Sequence, residues 1–207
     1  MKNIAISQRV NIIDSYGERR DALDQRWVSF LLSIGFFPIL VPNNINYIKQ
    51  LIDEHRIDGV LLTGGESLVK YGGNTPERDM AEFFLANWAI ENDVPLLGVC
   101  RGMQVIQDHF NNQLIKVLNH AAVRHKLIVE PNFIVSDLFK QYKDVNSFHN
   151  FGSNEVTNEL IKIASSSDGV IMAIKHQFKN IYGVMWHMER EVPFCKTDQE
   201  LFKAVFT

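Results

Sequence analysis

Residues 95–110 of the chain read PLLGVCRGMQVIQDHF, which joins a short apolar run to an amphipathic segment through a Gly-X-Cys-X-Gly turn. The run before the turn predicts the end of a buried strand, and the apolar positions after it have the spacing of a helix face. Gly98 and Gly102 permit a tight turn between the two, with Cys100 at its apex. The stretch therefore predicts a strand, a sharp elbow that carries a thiol, and a helix.

A thiol in this position has chemical consequences. At the N-terminus of a helix it feels the positive end of the helix dipole, which favours the thiolate. Unpaired backbone N–H groups, from Arg101 and its neighbour, could also stabilise an oxyanion that forms when the thiolate attacks a carbonyl. The alternative is that Cys100 is a small buried core residue, as most intracellular cysteines are. A nucleophile further requires a base, which must come from elsewhere in the chain.

The totals favour a soluble globular protein that acts on small molecules. The chain has 207 residues, 46% hydrophobic and 22% charged, with a net charge of −3. This charge argues against general binding to nucleic acid or to membrane surfaces. No apolar run approaches the about 18 residues of a membrane span, and the first residues, MKNIAISQRV, lack the long apolar stretch of a secretory signal. We therefore expect a cytoplasmic protein in which both cysteines, Cys100 and Cys195, are free thiols, without a structural zinc site.

Strand and helix patterns alternate through the first half of the chain. Strands are predicted at 3–6, 37–42 and 59–63, and helices at about 22–34, from Asn44 or Asn46, and at about 76–92, with a loop through Ser15–Glu18. This alternation predicts a parallel sheet covered on both faces and one domain over 1–207. The second half adds strands at 113–118 and 126–130, which look like an antiparallel excursion, then strands at 169–174 and 181–186 and a closing helix at 198–206.

Paired glycines follow the third predicted strand. Gly64 and Gly65 let backbone amides turn towards a ligand at the carboxyl edge of the sheet, although a plain turn would have the same sequence.

His187 is the strongest candidate for the general base. It follows the apolar run YGVMW, and Glu189 lies two residues later, on the same side of a strand by the period of two. The carboxylate could then orient the imidazole for proton transfer. The alternative is a surface ion pair between Glu189 and Arg190. His149 could border a site, whereas His55, His109, His120 and His125 have no special neighbours in the sequence, and we expect surface or structural roles for them.

These motifs resemble those of the class I glutamine amidotransferase superfamily. The matching stretches are GVCRGMQ at 98–104, HMER at 187–190, LLTGGES at 61–67 and VNSFH at 145–149. Arg101 after the cysteine, together with ALDQRW at 22–27 and ERDMAEF at 77–83, is similar to the stand-alone γ-glutamyl hydrolase branch. The resemblance spans nearly the whole chain. It implies a flavodoxin-like three-layer α/β sandwich with a mostly parallel central sheet.

The resemblance also assigns roles to individual residues. It implies a triad of Cys100, His187 and Glu189, an oxyanion hole from the backbone N–H groups of Gly65 and Arg101, and no metal or cofactor. The glutamyl head group would be held around Gln104 and the backbone of Asn146, Ser147 and Phe148, with His149 nearby. Asn150 and Phe151 depart from the histidines or glutamine that many relatives have after this motif.

The implied activity is hydrolysis of a γ-glutamyl amide through a thioester on Cys100, with release of glutamate. One substrate that the resemblance suggests is γ-glutamyl-CDP-amidate, in the synthesis of capsular phosphoramidate. A nucleotide leaving group would need cationic partners, for which Lys70, Arg78, Arg124 and Lys126 are the candidates in predicted loops. For each of these residues taken singly, a solvated surface charge is the favoured alternative.

Two alternatives remain open at this point. One is a glutaminase subunit that delivers ammonia to a separate synthetase. The other is a non-catalytic member of the superfamily. A homodimer is the expected assembly only because dimers are the commonest soluble oligomer.

Overall fold

A computed structural model describes residues 1–131, 135–157 and 159–207 of the chain. Within these residues the strands are β1 (Lys2–Ser7), β2 (Arg9–Ile13), β3 (Glu18–Ala22), β4 (Phe36–Val41), β5 (Gly59–Leu62), β6 (Leu96–Val99), β7 (Ile115–Lys116), β8 (Ala121–His125), β9 (Ile128–Val129), β10 (Val145–Phe148), β11 (Phe151–Gly152), β12 (Leu160–Ser165), β13 (Ile171–His176) and β14 (Ile181–Val184). The helices are α1 (Gln25–Ser33), α2 (Ile45–Glu54), α3 (Pro76–Glu91), α4 (Arg101–His109), α5 (Ser136–Phe139) and α6 (Lys196–Phe206).

One eight-stranded sheet runs through the molecule in the order β4-β1-β5-β6-β14-β13-β12-β9. Its first five strands run parallel to one another. The remaining strands, β13, β12 and β9, are added by antiparallel pairing. The parallel strands β5 and β6 are buried along their whole length, as expected of strands covered on both faces. The predicted α/β class with a mostly parallel central sheet is confirmed.

The helices that cover the sheet form two groups. Contacts join α2 to α3 and α3 to α4 in one group. In the other, Phe30 of α1 meets Phe202 of α6 edge-on, with the ring centroids 5.7 Å apart. The predicted closing helix therefore packs through Phe202 and Phe206 onto Phe36 of the edge strand. In the described part of the chain, no helix is long and apolar enough to cross a membrane.

The segment after β1 forms a hairpin, where the sequence predicted only a loop. Strands β2 and β3 pair antiparallel with Arg9 opposite Ala22, and the turn between them ends at Gly17, whose φ is 72°. The pairing was missed because ERRDA, the sequence of β3, is rich in charged residues that rarely form strands. Only Val10 of β2 is buried, so the hairpin lies across the surface of the domain.

The excursion after α4 also differs from the prediction. The predicted strands at 113–118 and 126–130 shorten to the two-residue strands β7 and β9, and the supposed connector AAVRH is strand β8. This strand pairs antiparallel with β10, which holds the VNSF motif of residues 145–148. Strand β12, LIKIAS, was not predicted at all. The result places the segment 145–149 on a paired strand beside the carboxyl edge of the central sheet.

Candidate active site

Cys100 occupies a strained backbone position between β6 and α4. Its φ is 52° and its ψ is −104°, a region that a non-glycine residue enters only when the surroundings enforce it, at a cost of about 1–3 kcal/mol. The flanking glycines have a different role from the predicted one, because the positive φ belongs to the cysteine. A Cβ on Gly98 would lie 2.4 Å from the carbonyl carbon of Gly102, and one on Gly102 would lie 2.1 Å from the carbonyl oxygen of Leu62. The glycines therefore let α4 approach the sheet closely.

His187 lies beside this elbow, because β6 and β14 are neighbours in the sheet and both end at the same edge. Its imidazole is within hydrogen-bonding reach of the Cys100 thiol, and its Nδ1 lies 2.7 Å from Oε1 of Glu189. Both side chains are almost wholly buried. The predicted contact between His187 and Glu189 is present, but the predicted reason for it, two side chains on the same side of one strand, was wrong. Strand β14 ends at Val184, and Glu189 reaches the imidazole from a short 3₁₀ helix, Met188–Arg190.

The proton on His187 is held by its two anionic neighbours. Burial by itself lowers the pKa of His187, but the thiolate of Cys100 and the carboxylate of Glu189 outweigh burial and raise that pKa from 6.5 to about 9. At neutral pH His187 is therefore an imidazolium within reach of the sulfur of Cys100. Such a pair can attack a carbonyl carbon and then donate a proton to the departing atom.

The backbone N–H groups that could form an oxyanion hole lie at the elbow and at the end of β5. The N–H of Arg101 is at the first position of α4, where a helix has no acceptor for it. Gly65 has a φ of 149°. The guanidinium of Arg78 donates from Nη2 to the carbonyl oxygen of Gly64 at 3.0 Å. In a trans peptide the C=O and the following N–H point in opposite directions, so Arg78 turns the N–H of Gly65 away from itself.

A buried ionic network supports this loop. Arg78 also donates to the carbonyl oxygen of Thr63 at 2.9 Å, to Glu66 at 2.9 Å and to Glu82 at 2.9 Å. Glu82 in turn accepts hydrogen bonds from Arg101 and, at 2.7 Å, from the hydroxyl of Ser7, and Asp79 accepts one from Arg101. Burial and the nearby Arg78 lower the pKa of Arg101 to about 9. The network ties α3 to the elbow, to β1 and to the loop after β5.

The residues assigned to the glutamyl head group divide into two sets. Gln104, Phe148 and His149 line a cleft of about 60 Å³ together with Cys100 and Gly65. The side chains of Asn146 and Ser147 lie behind it.

Asn146 supports the imidazole rather than the cleft. It accepts from the backbone N–H of His187 at 2.8 Å and donates to the carbonyl oxygen of that residue at 2.9 Å. Ser147 donates to the carbonyl oxygen of His120 at 2.7 Å. Asn146 therefore fixes the backbone of His187, a contact that sequence spacing could not indicate.

His120 and His125, which have no special neighbours in the sequence, lie together with His149 in the fold. Their rings stack with centroids 4.2 Å apart, and the ring of His149 lies 4.7 Å from that of His120. His120 also contacts the carboxylate of Asp168 at 3.0 Å. Burial and the neighbouring His120 lower the pKa of His149 to about 4, which keeps this ring neutral at physiological pH. The cluster forms a wall behind the cleft.

A second, larger cavity lies on the other side of His187. It has a volume of about 270 Å³ and is shared between the hairpin β2–β3, the start of α1, the glycine pair after β5 and the segment 187–190. Its lining residues are Arg9, Asn11, Ala22, Leu23, Asp24, Trp27, Gly64, Gly65, His187, Glu189 and Arg190. His187 lines this cavity, Cys100 lines the smaller cleft, and Gly65 lines both.

The cations predicted to serve a leaving group lie elsewhere. Arg78 is buried in the network described above, Lys70 pairs with Asp108, and Arg124 pairs with Asp144 and Glu191. Lys126 lines neither cavity. These side chains were candidates because they fell in predicted loops, but opposite charges nearby in the fold already neutralise three of them.

Gly64 is required by the close approach of the imidazole. A Cβ at this position would lie 2.4 Å from Cε1 of His187. We expect Gly64→Ala to displace the ring and to lower kcat/KM by about 100-fold, since a shift of about 1 Å in a catalytic group can cost that much. Gly35→Ala is the control: its Cβ would meet no atom within 4 Å, so this variant carries the backbone strain of a φ of 87° without any contact with the imidazole. Equal losses of activity in the two variants would contradict this explanation.

The chain is similar to known proteins over most of its length. The model of the peptidase C26 family matches residues 4–189. The γ-glutamyl-CDP-amidate hydrolase of Campylobacter jejuni is 34% identical over 191 residues, which cover 91% of this chain and 90% of that protein. The γ-glutamyl-γ-aminobutyrate hydrolase of Escherichia coli O157:H7 is 28% identical over 226 residues, which cover 92% and 87%.

Solved structures show the same fold. A putative GMP synthase protein from Thermoplasma acidophilum superposes with a TM-score of 0.74 at 20% identity, covering 100% of this chain and 92% of that one. A glutamine amidotransferase from Thermotoga maritima gives a TM-score of 0.62 at 13% identity, covering 98% and 83%. The family model covers residues 4–189, a range that includes Cys100, His187 and Glu189. The chain therefore belongs to the peptidase C26 family.

Proposed function

We propose that the protein is a cysteine-dependent hydrolase that cleaves γ-glutamyl amides and releases glutamate. The observation that carries the proposal is the convergence of Cys100, His187 and Glu189 at one sheet edge, with a cleft beside Cys100 and a larger cavity beside His187. Two similar relatives are named as γ-glutamyl hydrolases, which supports the γ-glutamyl amide as the substrate class.

The first half of the reaction breaks the amide bond. The Sγ thiolate of Cys100 attacks the side-chain carbonyl carbon, and the resulting oxyanion accepts hydrogen bonds from the backbone N–H groups of Gly65 and Arg101. The imidazolium of His187 donates its proton to the amide nitrogen. The C–N bond then breaks, the amine leaves, and a thioester between glutamate and Cys100 remains.

The second half restores the enzyme. Neutral His187, oriented by Glu189, takes a proton from a water molecule as the water attacks the thioester carbon. The same N–H groups stabilise the second oxyanion. The C–S bond breaks, glutamate leaves, and the thiolate again faces the imidazolium. Each step uses only groups of the chain and water.

The specific substrate that we propose is a nucleotide amidate, γ-glutamyl-CDP-amidate, in the synthesis of capsular phosphoramidate. The relative from Campylobacter jejuni, whose name carries this substrate, matches nine-tenths of the chain and supports the proposal. We further propose a cytoplasmic setting, with a homodimer as the expected assembly.

A panel of γ-glutamyl compounds tests the reaction class. Purified protein is incubated with free glutamine, γ-glutamyl-γ-aminobutyrate and γ-glutamyl-CDP-amidate, and glutamate release is measured enzymatically. We expect release from conjugates without any added protein. Turnover of glutamine that starts only when a synthetase is added would favour an ammonia-delivering protein. No release from any of the compounds would favour a non-catalytic protein.

The pKa of His187 predicts a specific pH dependence. Because the imidazolium is the proton donor and its pKa is about 9, kcat/KM should fall as the pH rises through about 9. Glu189→Gln removes a carboxylate that raises this pKa, so the alkaline limb should move to lower pH by about one unit or more. The measurement is kcat/KM from pH 5 to 10 for both proteins. An alkaline limb that stays in place in Glu189→Gln would contradict the assignment.

A further inference from the structure

The cavity of about 270 Å³ on the far side of His187 has a position that constrains its occupant. The cleft on the near side contains Cys100 and Gln104. The two spaces share Gly65 of the loop after β5, and the imidazole lies at the edge of the larger one. In the proposed reaction the amide nitrogen must lie next to the imidazole, and the acyl half must lie beside the sulfur. The larger cavity therefore lies where the leaving group extends.

Arg9 is the first charged group of this cavity, and the hairpin holds it over the oxyanion loop. Cross-strand pairing places it opposite Ala22, and the backbone N–H of Val10 donates to Glu66 at 3.3 Å. The Cβ of Arg9 lies 3.4 Å from the position that a Cβ on Gly65 would take. Among the residues that the structure describes, its guanidinium has no ion pair and no hydrogen bond, so its donors are available to a ligand.

Arg190 is the second charged group and approaches from the opposite wall. Its guanidinium carbon lies 4.5 Å from the centroid of the Phe148 ring, a cation–π contact that holds the guanidinium beside this ring. Its Nε is 3.6 Å from Oε1 of Glu189, which is engaged at 2.7 Å by His187. Because this oxygen lies closer to the imidazole of His187 than to Arg190, it balances the charge of Arg190 only in part.

The acidic residues of the cavity are committed to other groups. Glu189 pairs with the imidazolium, and Asp24 caps α1 by accepting a hydrogen bond from the backbone N–H of Arg26 at 3.0 Å. The buried Trp27, with Ala22 and Leu23, supplies apolar contact beside the two guanidinium groups. Guanidinium groups recognise phosphate and carboxylate groups through paired hydrogen bonds.

We infer that this cavity is the leaving-group subsite and that Arg9 and Arg190 together bind an anionic group, a phosphate or a carboxylate, on the departing amine. The inference rests on the proposed function, since it takes the reacting nitrogen to lie beside His187. It replaces the loop cations suggested by the sequence with two arginines, of which one lies on an unpredicted hairpin.

The test uses substrates that share the glutamyl half and differ in whether the leaving amine carries an anionic group. The matched pair is the γ-glutamyl conjugates of ethanolamine and of phosphoethanolamine, and the conjugate of β-alanine supplies the carboxylate. For each protein the quantity compared is kcat/KM on an anionic conjugate divided by kcat/KM on the neutral conjugate. A loss of activity that affects both conjugates equally cancels in this ratio.

We expect Arg9→Gln and Arg190→Gln each to lower this ratio by about 10-fold or more, the usual effect of losing a charge-assisted hydrogen bond. Arg20→Gln removes the same charge from the same hairpin but lies outside the cavity, paired with Glu18, and should leave the ratio unchanged. A larger loss on phosphoethanolamine than on β-alanine identifies a phosphate site, and the reverse order identifies a carboxylate site.

A ratio that stays constant in Arg9→Gln and Arg190→Gln would overturn the inference while leaving the γ-glutamyl hydrolase activity intact. Equal losses on neutral and anionic conjugates would also overturn it, because the arginines would then serve the glutamyl half or the fold. Failure of the proposed function has a different signature, which is no glutamate release by the unmodified protein from any of the three conjugates.

Discussion

Replacing Cys100 by alanine should lower the rate of glutamate release by about 10⁴-fold or more, because no other group can form the thioester. The fold should be retained. The positive φ at this position is equally costly for both residues, and the side chain to be removed is small and lies at the floor of a cleft. Substrate binding should also persist, since the cleft and the larger cavity keep the rest of their walls. Calorimetric titration of Cys100→Ala with a γ-glutamyl conjugate measures this binding.

Cys195→Ala is the matched control for the nucleophile. This second free cysteine is partly exposed and precedes α6, and it lines neither the cleft nor the larger cavity. We expect the turnover of Cys195→Ala to match that of the unmodified protein. Comparable activity in Cys100→Ala and Cys195→Ala would remove Cys100 from the mechanism.

Arg78→Lys should lower kcat by about 100- to 1,000-fold, the loss expected when one oxyanion donor is misplaced. Arg78 holds the carbonyl oxygens of Thr63 and Gly64 through one nitrogen and Glu66 and Glu82 through the others. A lysine ammonium keeps the charge but cannot reproduce this fork of donors. The peptide between Gly64 and Gly65 would then be free to rotate, and the N–H of Gly65 would lose its direction. Arg78 is thus a positioning residue for the oxyanion hole.

Alkylation of Cys100 separates positioning from a general loss of structure. Iodoacetamide reacts with the thiolate without forming an oxyanion. The rate of alkylation should therefore change only a few-fold in Arg78→Lys, whereas the rate of amide hydrolysis should fall by the factor given above. Arg20→Lys, an exposed substitution on the hairpin, is the control for both reactions. If alkylation and hydrolysis fall together in Arg78→Lys, or if hydrolysis is retained, the positioning role is wrong. Thermal unfolding of each variant verifies that it is folded.

The elbow was the part of the site most accessible to sequence reasoning. A glycine on each side of a cysteine, between a strand pattern and a helix pattern, predicts a local strand–turn–helix elbow. The alternation of strands and helices along the chain predicts that the strand of this elbow lies in a parallel sheet. Even here the explanation changed, because Cys100 rather than a glycine has the positive φ. The glycines serve packing against β5 and against the turn of α4, which no local pattern reveals.

The buried network was inaccessible for a physical reason. Arg78 and Glu82 have the spacing of an ion pair on one helix face, and such pairs usually face solvent. Their burial depends on Arg101 and Glu66, which approach from other elements and supply the compensating charges. Nothing in the helix itself states that these partners exist.

The hairpin was missed because its strands lack the apolar alternation that identifies strands. Arg9 and Asn11 line the larger cavity from β2, and Ala22 lines it from the end of β3. Their conformation comes from cross-strand pairing and from the hydrogen bond between Val10 and Glu66, both of which are tertiary. Arg9, one of the two arginines that we infer to select the leaving group, therefore lay in a segment that the sequence predicted to be a simple loop.

The central claim is that a covalent γ-glutamyl thioester forms on the sulfur of Cys100. Rapid acid quenching during turnover, followed by mass spectrometry of the digested protein, measures it directly. We expect a glutamyl adduct on the peptide that contains Cys100, one that accumulates before steady state, disappears when substrate is exhausted and is absent from Cys100→Ala. Glutamate release with no adduct on this peptide at any quench time, or with an adduct on another residue, would contradict the account.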